Sequence, residues 1–200
     1  MDALEAIRTR RSLRQLDPRP VPREVLDELL ALACLAPAPH HTRPWRFVVI
    51  GPERRGALAA AMGDAWRADL ERDGHEESLI ARLLARSRRQ MLDAPVLVLA
   101  CLTHEGLREW PDERRRRHEW AMAQHSLGAA LQNIMLAAHA RGLASYWISA
   151  PLFALDAVRA ALDLADDWVP QAFVVVGYPR RGSAPRPRPP LDTGRLVADR

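Results

Sequence analysis

One long helical segment constrains the fold of this chain more than any other part of the sequence. Residues 118–141 have the composition of a helix, and Gly142 is a suitable terminator for it. Its apolar residues cover most of the helix circumference: Trp120, Met122, Leu127, Leu131, Ile134, Met135 and Leu136. A helix that is apolar on nearly all sides must be buried on nearly all sides. The pattern predicts a central helix, either shared between the two subunits of a dimer or lying inside a monomer.

The rest of the chain mixes helical and extended patterns without strict alternation. Residues 95–102 form a continuous apolar run, which is typical of a strand buried on both faces. Further strands are predicted at 45–50, 144–148 and 172–178. Helices are predicted at 22–36, 53–62 and 155–164, together with a capped helix after Asp2 and two arginine-rich amphipathic segments that are split near residues 73–74. A loop is expected at 103–117 and an irregular tail at 179–190. This mixture favours the α+β class, with residues 1–200 forming a single domain.

A dense cationic stretch, Arg10-Arg11-Ser12-Leu13-Arg14, directly follows the N-terminal helix. Guanidinium groups match phosphate oxygens in a bidentate way, and Ser12 adds a neutral donor. The stretch therefore fits a cofactor that carries phosphate. The alternative is a solvated charged turn, which is the commoner fate of such runs.

Composition narrows the chemistry further, because the chain contains no lysine and all 29 of its Lys+Arg residues are arginine. The absence of lysine excludes a Schiff base with pyridoxal phosphate and a Walker-type phosphate loop, since both need the ammonium group. The net charge of +4 permits anionic partners. It does not indicate nucleic acid, because acidic residues are interspersed and aromatic residues are few.

The second informative block is residues 37–47, in which three prolines fix the backbone around His40, His41, Thr42 and Arg43. A rigid loop that enters a buried strand is a common place for ligand contacts. The loop could equally be a rigid connector whose histidines only meet solvent.

Other site chemistries find little support in the sequence. Adjacent His40 and His41 point to opposite sides of an extended segment, and no carboxylate or cysteine stands at ligand spacing near His118 and His125, so no metal site is predicted. No G-x-S-x-G turn surrounds Ser149, and no G-x-G-x-x-G follows a strand. With no obvious nucleophile or acid–base pair, the hard chemistry is expected to belong to a cofactor.

The expected location of the chain is the cytoplasm. The two cysteines, Cys34 and Cys101, lie in separate apolar runs and form no C-x-x-C pair, which favours a reducing compartment. The N-terminus lacks the pattern of a signal peptide, and no apolar run is long enough to span a bilayer. We therefore expect no membrane partner.

The chain resembles the flavin-dependent nitroreductase family. The resemblance rests on Arg-Arg-Ser-x-Arg after an N-terminal helix, followed by a Pro-x-x-x-x-x-x-Pro-Trp loop. Residues 36–47, 66–70, 141–148 and 177–178 look like the dehydro-coenzyme F420-0 reductase branch of that family, found in mycobacteria as the C-terminal domain of a larger protein. The Pro-His-His-Thr-Arg-Pro block is the most specific part, because ordinary nitroreductases carry a Ser/Asn-rich loop there.

The resemblance implies a nitroreductase-like α+β fold with a central mixed sheet flanked by helices, in an intertwined homodimer with two FMN sites at the interface. The implied FMN ligands are Arg10, Arg11, Ser12, Leu13, Arg14, Asp69 and Arg186. The residues implied to hold the deazaflavin coenzyme F420 or its dehydro precursor are Ala38, His40, His41, Thr42 and Ser149. The catalytic residues stay unknown, with His40 and His41 as candidates for proton donation.

Three functions remain open at this point. The resemblance implies an FMN-dependent oxidoreductase that reduces dehydro-coenzyme F420-0 to coenzyme F420-0 by hydride transfer. A second possibility is a general nitro or quinone reductase that takes electrons from NAD(P)H. A third is a carrier that binds flavin or deazaflavin without turnover.

Overall fold

The computed structural model describes residues 1–198, in which a four-stranded sheet is packed between helices. The elements in chain order are α1 (Ala3–Thr9), α2 (Arg23–Ala33), β1 (Trp45–Val49), α3 (Pro52–Arg72), α4 (Glu77–Leu92), β2 (Val96–Leu102), α5 (Glu113–Ala140), β3 (Ala144–Ile148), α6 (Leu155–Leu162) and β4 (Val169–Gly177). Short 3₁₀ turns cover Pro39–His41, Ala150–Phe153 and Thr193–Arg195. This mixture of helix and sheet confirms the α+β class.

The strands lie in the order β1-β2-β4-β3, and each neighbouring pair is antiparallel. The expected mixed sheet is therefore wrong for these four strands. The reason is that β2 and β3 run in the same direction but β4 is inserted between them, antiparallel to both. In the described part of the chain, parallel pairing is confined to an isolated bridge between Ser12 and Ser145.

The core is divided by the sheet into two layers, and β2 contributes to both. Its side chains alternate, so that Val98 and Ala100 pack with the layer of α2 and α5, while Leu97 and Leu99 pack with the layer of α3 and α6. All seven residues of β2 are buried. The continuous apolar run in the sequence reflects this burial on two faces.

The helix α5 begins earlier than the sequence predicts. Residues 113–117 are helical rather than the end of a loop, because the Asp112 side chain caps the helix by accepting the Arg115 N–H at 2.9 Å. Leu127 and Leu131 are buried against the sheet, whereas Met122 is 38% exposed. One face of α5 thus stays open within a single chain, and its burial in a dimer stays a prediction.

The helix α3 is one continuous element from Pro52 to Arg72, where the sequence suggested a break after residue 62. A single glycine, Gly63, weakens an exposed helix by about 1 kcal/mol and does not end it. The turn near residues 73–74 is confirmed, and it joins α3 to α4 in an antiparallel hairpin. This hairpin forms one wall of the site described below.

Several predicted elements are confirmed with nearly the expected bounds. The strand β3 covers Ala144–Ile148, and the Asp2 carboxylate caps α1 by accepting the Glu5 N–H at 2.8 Å. Residues 179–190 contain no helix or strand. None of the helices in residues 1–198 is long and apolar enough to cross a membrane.

A buried guanidinium connects α3 to the sheet and gives a test of the fold. Arg55 is buried, and it donates to the carbonyls of Ile50, at 3.2 Å, and Ala94. Replacing Arg55 by methionine keeps the volume but leaves both carbonyls without their donor. We expect the free energy of unfolding to fall by about 2–4 kcal/mol in urea denaturation. The neighbouring Arg54→Met, which removes only an exposed ion pair to Asp163, should cost less than about 1 kcal/mol. Equal losses for the two variants would contradict the structure.

Candidate functional site

The cationic stretch seen in the sequence lies along the edge of the sheet beside β3. The Leu13 N–H donates to the Ser145 carbonyl at 3.4 Å, and Ser12 forms its bridge to the same residue. Further along, the Asp17 N–H donates to the Tyr178 carbonyl at 2.8 Å. These backbone contacts fix the stretch on the sheet, so its side chains are presented from a rigid support.

Three guanidinium groups meet where α1 ends, and we call Arg10, Arg11 and Arg188 the arginine cluster. Arg188 reaches the cluster from the C-terminal tail, because its Nη2 donates to the Arg10 carbonyl at 3.0 Å. The Arg11 Nη1 donates to the carbonyls of Arg8 and Arg10, both at 2.9 Å. Nη1 of Arg10 is buried and has no hydrogen-bond partner among the described residues.

The arginine cluster is not neutralised by the protein within residues 1–198. No carboxylate in that range forms an ion pair with Arg10, Arg11 or Arg188. Burial lowers the pKa of Arg10, and the neighbouring charges of Arg188 and Arg11 lower it further. A buried donor without a partner, set among like charges, is costly unless an anion completes it. The cluster therefore fits a phosphate group.

His139, near the end of α5, lies beside this cluster. Thr9 donates its hydroxyl proton to the Glu5 carbonyl at 2.6 Å, so the contact of 2.8 Å between Thr9 Oγ1 and His139 Nε2 requires the histidine to donate. Burial lowers the pKa of His139, and Arg10 lowers it further. His139 therefore ties α1 to α5 behind the cluster as a neutral donor.

A cavity of about 640 Å³ lies next to the other end of the cationic stretch. Arg14 lines it and stacks over the ring of Tyr146 at 5.4 Å, and Asp69 lines it while paired to Arg72 at 2.8 Å. The other lining residues come from α3, α4, β3 and the turn after β3: Met62, Trp66, Asp73, Leu83, Arg86, Ser87, Gln90, Trp147, Ile148, Ala150, Phe153 and Ala154. Three of these are aromatic, so the cavity suits a planar ring.

The loop of residues 38–42 lies elsewhere, against α5. Ala38 lines a second cavity, of about 430 Å³, with Met122 and His125 of α5. His40 and His41 are exposed, and the Thr42 hydroxyl is buried without a hydrogen-bond partner in the described residues. The backbone is left-handed at three residues of this loop, with φ of 52° at His40, 56° at His41 and 47° at Arg43.

The backbone of this loop is strained. Left-handed φ costs of order 1–3 kcal/mol at residues other than glycine, and such strain is concentrated at functional sites. The geometry therefore favours a ligand-contacting loop over a plain connector.

Not all of the residues predicted from the sequence come together in one chain. Arg10 and Arg11 share the arginine cluster, whereas Arg14 and Asp69 share the first cavity. Ser149 is exposed between lining residues of that cavity, but the two cavities have no lining residue in common. The predicted substrate residues Ala38, His40, His41, Thr42 and Ser149 therefore do not form one pocket within residues 1–198.

Two groups of residues were missed by the sequence reasoning. The tail residue that hydrogen-bonds at the cluster is Arg188, whereas the expected Arg186 is exposed and its side chain forms no hydrogen bond or ion pair in the described residues. The repeated Arg-Pro-Arg was the available signal, but it could not select between the two arginines. The aromatic lining by Trp66, Trp147 and Phe153 was missed because these residues are remote in sequence and become neighbours only in the fold.

Comparisons with known proteins agree with this architecture. The nitroreductase family matches residues 7–178. The chain is 32% identical over 187 residues to the 5,6-dimethylbenzimidazole synthase of Rhodospirillum rubrum, covering 90% of this chain and 83% of the relative.

Solved structures share the fold over nearly the whole chain. A BluB-like flavoprotein from Clostridium difficile 630 superposes with a TM-score of 0.79 at 21% identity, covering all of this chain and 99% of that one. A variant of the FMN and NADPH-dependent nitroreductase NfnB from Sphigopyxis sp. strain HMH superposes with a TM-score of 0.75 at 22% identity, covering 99% and 98%.

The fold and the family match together define an oxidoreductase. The chain belongs to the nitroreductase family, whose members are typically homodimers.

Proposed function

We propose that the chain binds FMN, with the phosphate in the arginine cluster and the ring in the cavity lined by Arg14 and Asp69, and reduces an organic acceptor. The observation that carries the proposal is the buried Nη1 of Arg10, which has no partner in residues 1–198 and faces no neutralising carboxylate there. A phosphate dianion would complete this donor and offset the repulsion between the three guanidiniums.

The residues around the cavity have separable roles in this proposal. Arg10, Arg11 and Arg188 hold the phosphate, while Ser12 and Leu13 place the stretch on the sheet edge. Arg14 and Asp69 present one donor and one acceptor to the polar edge of a ring. Trp66, Trp147 and Phe153 line the cavity wall beside the ring, and the open side of the cavity is left for the acceptor. Bound FMN supplies two-electron hydride chemistry to such a site.

A second copy of the chain completes the site. Within one chain the loop of residues 38–42 and the turn at Ser149 line separate regions, whereas a homodimer built on the open face of α5 would bring the loop of one subunit to the cavity of the other. This arrangement also accounts for the exposure of Met122 and for the unpartnered hydroxyl of Thr42.

The acceptor that we propose is dehydro-coenzyme F420-0, an anionic phosphodiester with a carbon–carbon double bond. Its reduction adds one hydride to one carbon and one proton to the other, two electrons in all, and a reduced nicotinamide or another two-electron donor supplies those electrons. His40 or His41 is placed on an exposed loop where it could donate the proton. An arginine-rich cleft attracts an anionic substrate.

A general reductase of nitro or quinone compounds is the second candidate. It is favoured by the family and by the shape of the cavity, whose aromatic walls suit any planar acceptor. The two candidates differ in the use of the polar loop, which a neutral nitroarene would not need.

The deciding experiment incubates the purified protein with FMN, a reductant and dehydro-coenzyme F420-0, and follows the substrate by mass spectrometry. We expect a mass gain of two hydrogens, with nitroarene reduction measured in parallel. Rapid nitroarene reduction without that gain would support the second candidate. A colourless protein that does not bind added FMN would overturn both and leave at most a deazaflavin carrier.

A further inference from the structure

Three arginines form a stripe on α4 beside the flavin cavity. Arg82, Arg86 and Arg89 are spaced by four and three residues, so they lie on one face of the helix. All three are exposed, and Arg86 also lines the cavity. Leu83, Ser87 and Gln90 of the same helix also line the cavity. The helix face that they form is next to the face that carries the three arginines. A ligand in the cavity would therefore meet Arg86, the member of the stripe that lines it.

Three carboxylates of the α3–α4 hairpin are already paired with other arginines. Arg67 binds Glu77 at 2.8 Å and Glu71 at 3.4 Å, and Arg72 binds Asp69 at 2.8 Å. Among residues 1–198, Arg82, Arg86 and Arg89 have no carboxylate within ion-pair distance. The stripe thus carries three positive charges without an ion pair in the described residues, and Arg86 brings one of them to the cavity.

The two sides of the cavity carry charges of opposite sign. Asp69 and Asp73 lie on its α3 side, while Arg86, Ser87 and Gln90 lie on its α4 side. Asp69 is paired with Arg72, but Asp73 has no ion pair among the described residues, so an anionic group attached to a bound ring is repelled from Asp73 and attracted to Arg86. A guanidinium group matches phosphate oxygens in a bidentate way and gains less from a neutral ligand.

We propose that Arg82, Arg86 and Arg89 bind the phosphate of a redox partner whose planar ring packs against the flavin at the open side of the cavity. The inference rests on the proposed FMN reductase function and adds the residues that bind the phosphate of its partner, which is either the electron donor or the acceptor. A neutral ring would use the cavity without the stripe.

The first test measures binding without turnover. Adenosine bisphosphate and adenosine are titrated into the purified protein by calorimetry, for the native chain, for R82Q/R86Q/R89Q and for the control R88Q/R114Q/R117Q. The control removes the same charge from exposed arginines outside the stripe. We expect the bisphosphate to bind about thirtyfold more weakly to the stripe variant, about tenfold if each phosphate contact is only partly lost, and unchanged to the control. Equal weakening in both variants would overturn the proposal.

The second test separates the donor from the acceptor. The kcat/KM of the stripe variant is compared for NADPH, for the phosphate-free donor N-benzyl-dihydronicotinamide and for dehydro-coenzyme F420-0. A loss of about tenfold with NADPH alone assigns the stripe to the donor, and the same loss with the deazaflavin precursor alone assigns it to the acceptor. The phosphate-free donor should be unaffected.

The outcomes also separate this inference from the proposed function. Equal losses with every partner, or no loss with any, would overturn the inference while leaving the reductase intact. If the native protein oxidises no donor, the proposed function fails, and the calorimetry still decides whether the stripe binds phosphate.

Discussion

Replacing Arg10 by methionine is expected to weaken FMN binding by about a hundredfold while stabilising the protein without flavin. The two effects have opposite signs because the Arg10 guanidinium binds the phosphate when FMN is present and destabilises the folded protein when FMN is absent. Its Nη1 is buried without a partner in residues 1–198, and burial, Arg188 and Arg11 all lower its pKa. A lowered pKa means that the fold disfavours the charged form, so the methionine variant should unfold at higher denaturant concentration when flavin is absent.

The measurement combines flavin titration, followed by fluorescence quenching, with urea denaturation of the protein stripped of flavin. Arg188→Gln should act in the same direction with a smaller loss of affinity, about tenfold, because it removes one charged donor from the cluster. Arg186→Gln is the matched control, and it should change neither quantity. If Arg10→Met lowers the stability of the stripped protein, Arg10 has a structural role and the phosphate assignment is wrong.

The contrast between Arg186 and Arg188 shows how far sequence reasoning could go at this site. The N-terminal stretch was predicted from local chemistry, since three guanidiniums within five residues limit the possible ligands. For the C-terminal tail, the sequence could predict only that one of its arginines reaches the cationic stretch. In an irregular proline-rich segment, residues two apart point in different directions, and nothing in Arg-Pro-Arg tells which arginine faces α1. That choice depends on where the tail crosses the molecule.

The fold shows the same division between local and long-range information. The bounds of β2 were predicted within one residue, because a strand that is buried on both faces appears in the sequence as a short, continuous apolar run. The start of α5 was missed because the four arginines at 114–117 are typical of the charged end of a loop, although Asp112 supplies a helix cap. The all-antiparallel sheet was also missed, since the insertion of β4 between β2 and β3 depends on pairing between remote segments.

The strained loop could not have been predicted from its sequence either. Positive φ usually indicates glycine, yet His40, His41 and Arg43 adopt it without any glycine in the loop. Two hydrogen bonds within the loop hold this conformation: the His41 N–H donates to the Ala38 carbonyl and the Thr42 N–H to the Pro39 carbonyl, both at 3.1 Å. A conformation that costs energy and uses no glycine indicates that the side chains themselves are needed.

Two variants of the loop separate the effect of backbone strain from the effect of the imidazole groups. Arg43→Gly keeps both histidines and relieves one left-handed residue, so we expect the free energy of unfolding to rise by about 1 kcal/mol and the midpoint of thermal unfolding by roughly 2–4 °C. Because a relaxed loop positions its histidines less well, turnover of the proposed acceptor should fall about tenfold.

The double variant H40A/H41A does the reverse, since alanine keeps the left-handed strain and removes both imidazoles. We expect little change in thermal stability and a loss of turnover of about a hundredfold, the usual contribution of one proton donor. Nitroarene reduction by H40A/H41A serves as the internal control and should fall by less than the turnover of the anionic acceptor. A double variant with native turnover would exclude His40 and His41 as proton donors. Destabilisation by Arg43→Gly would show that the loop conformation is set by contacts of the Arg43 side chain rather than by function.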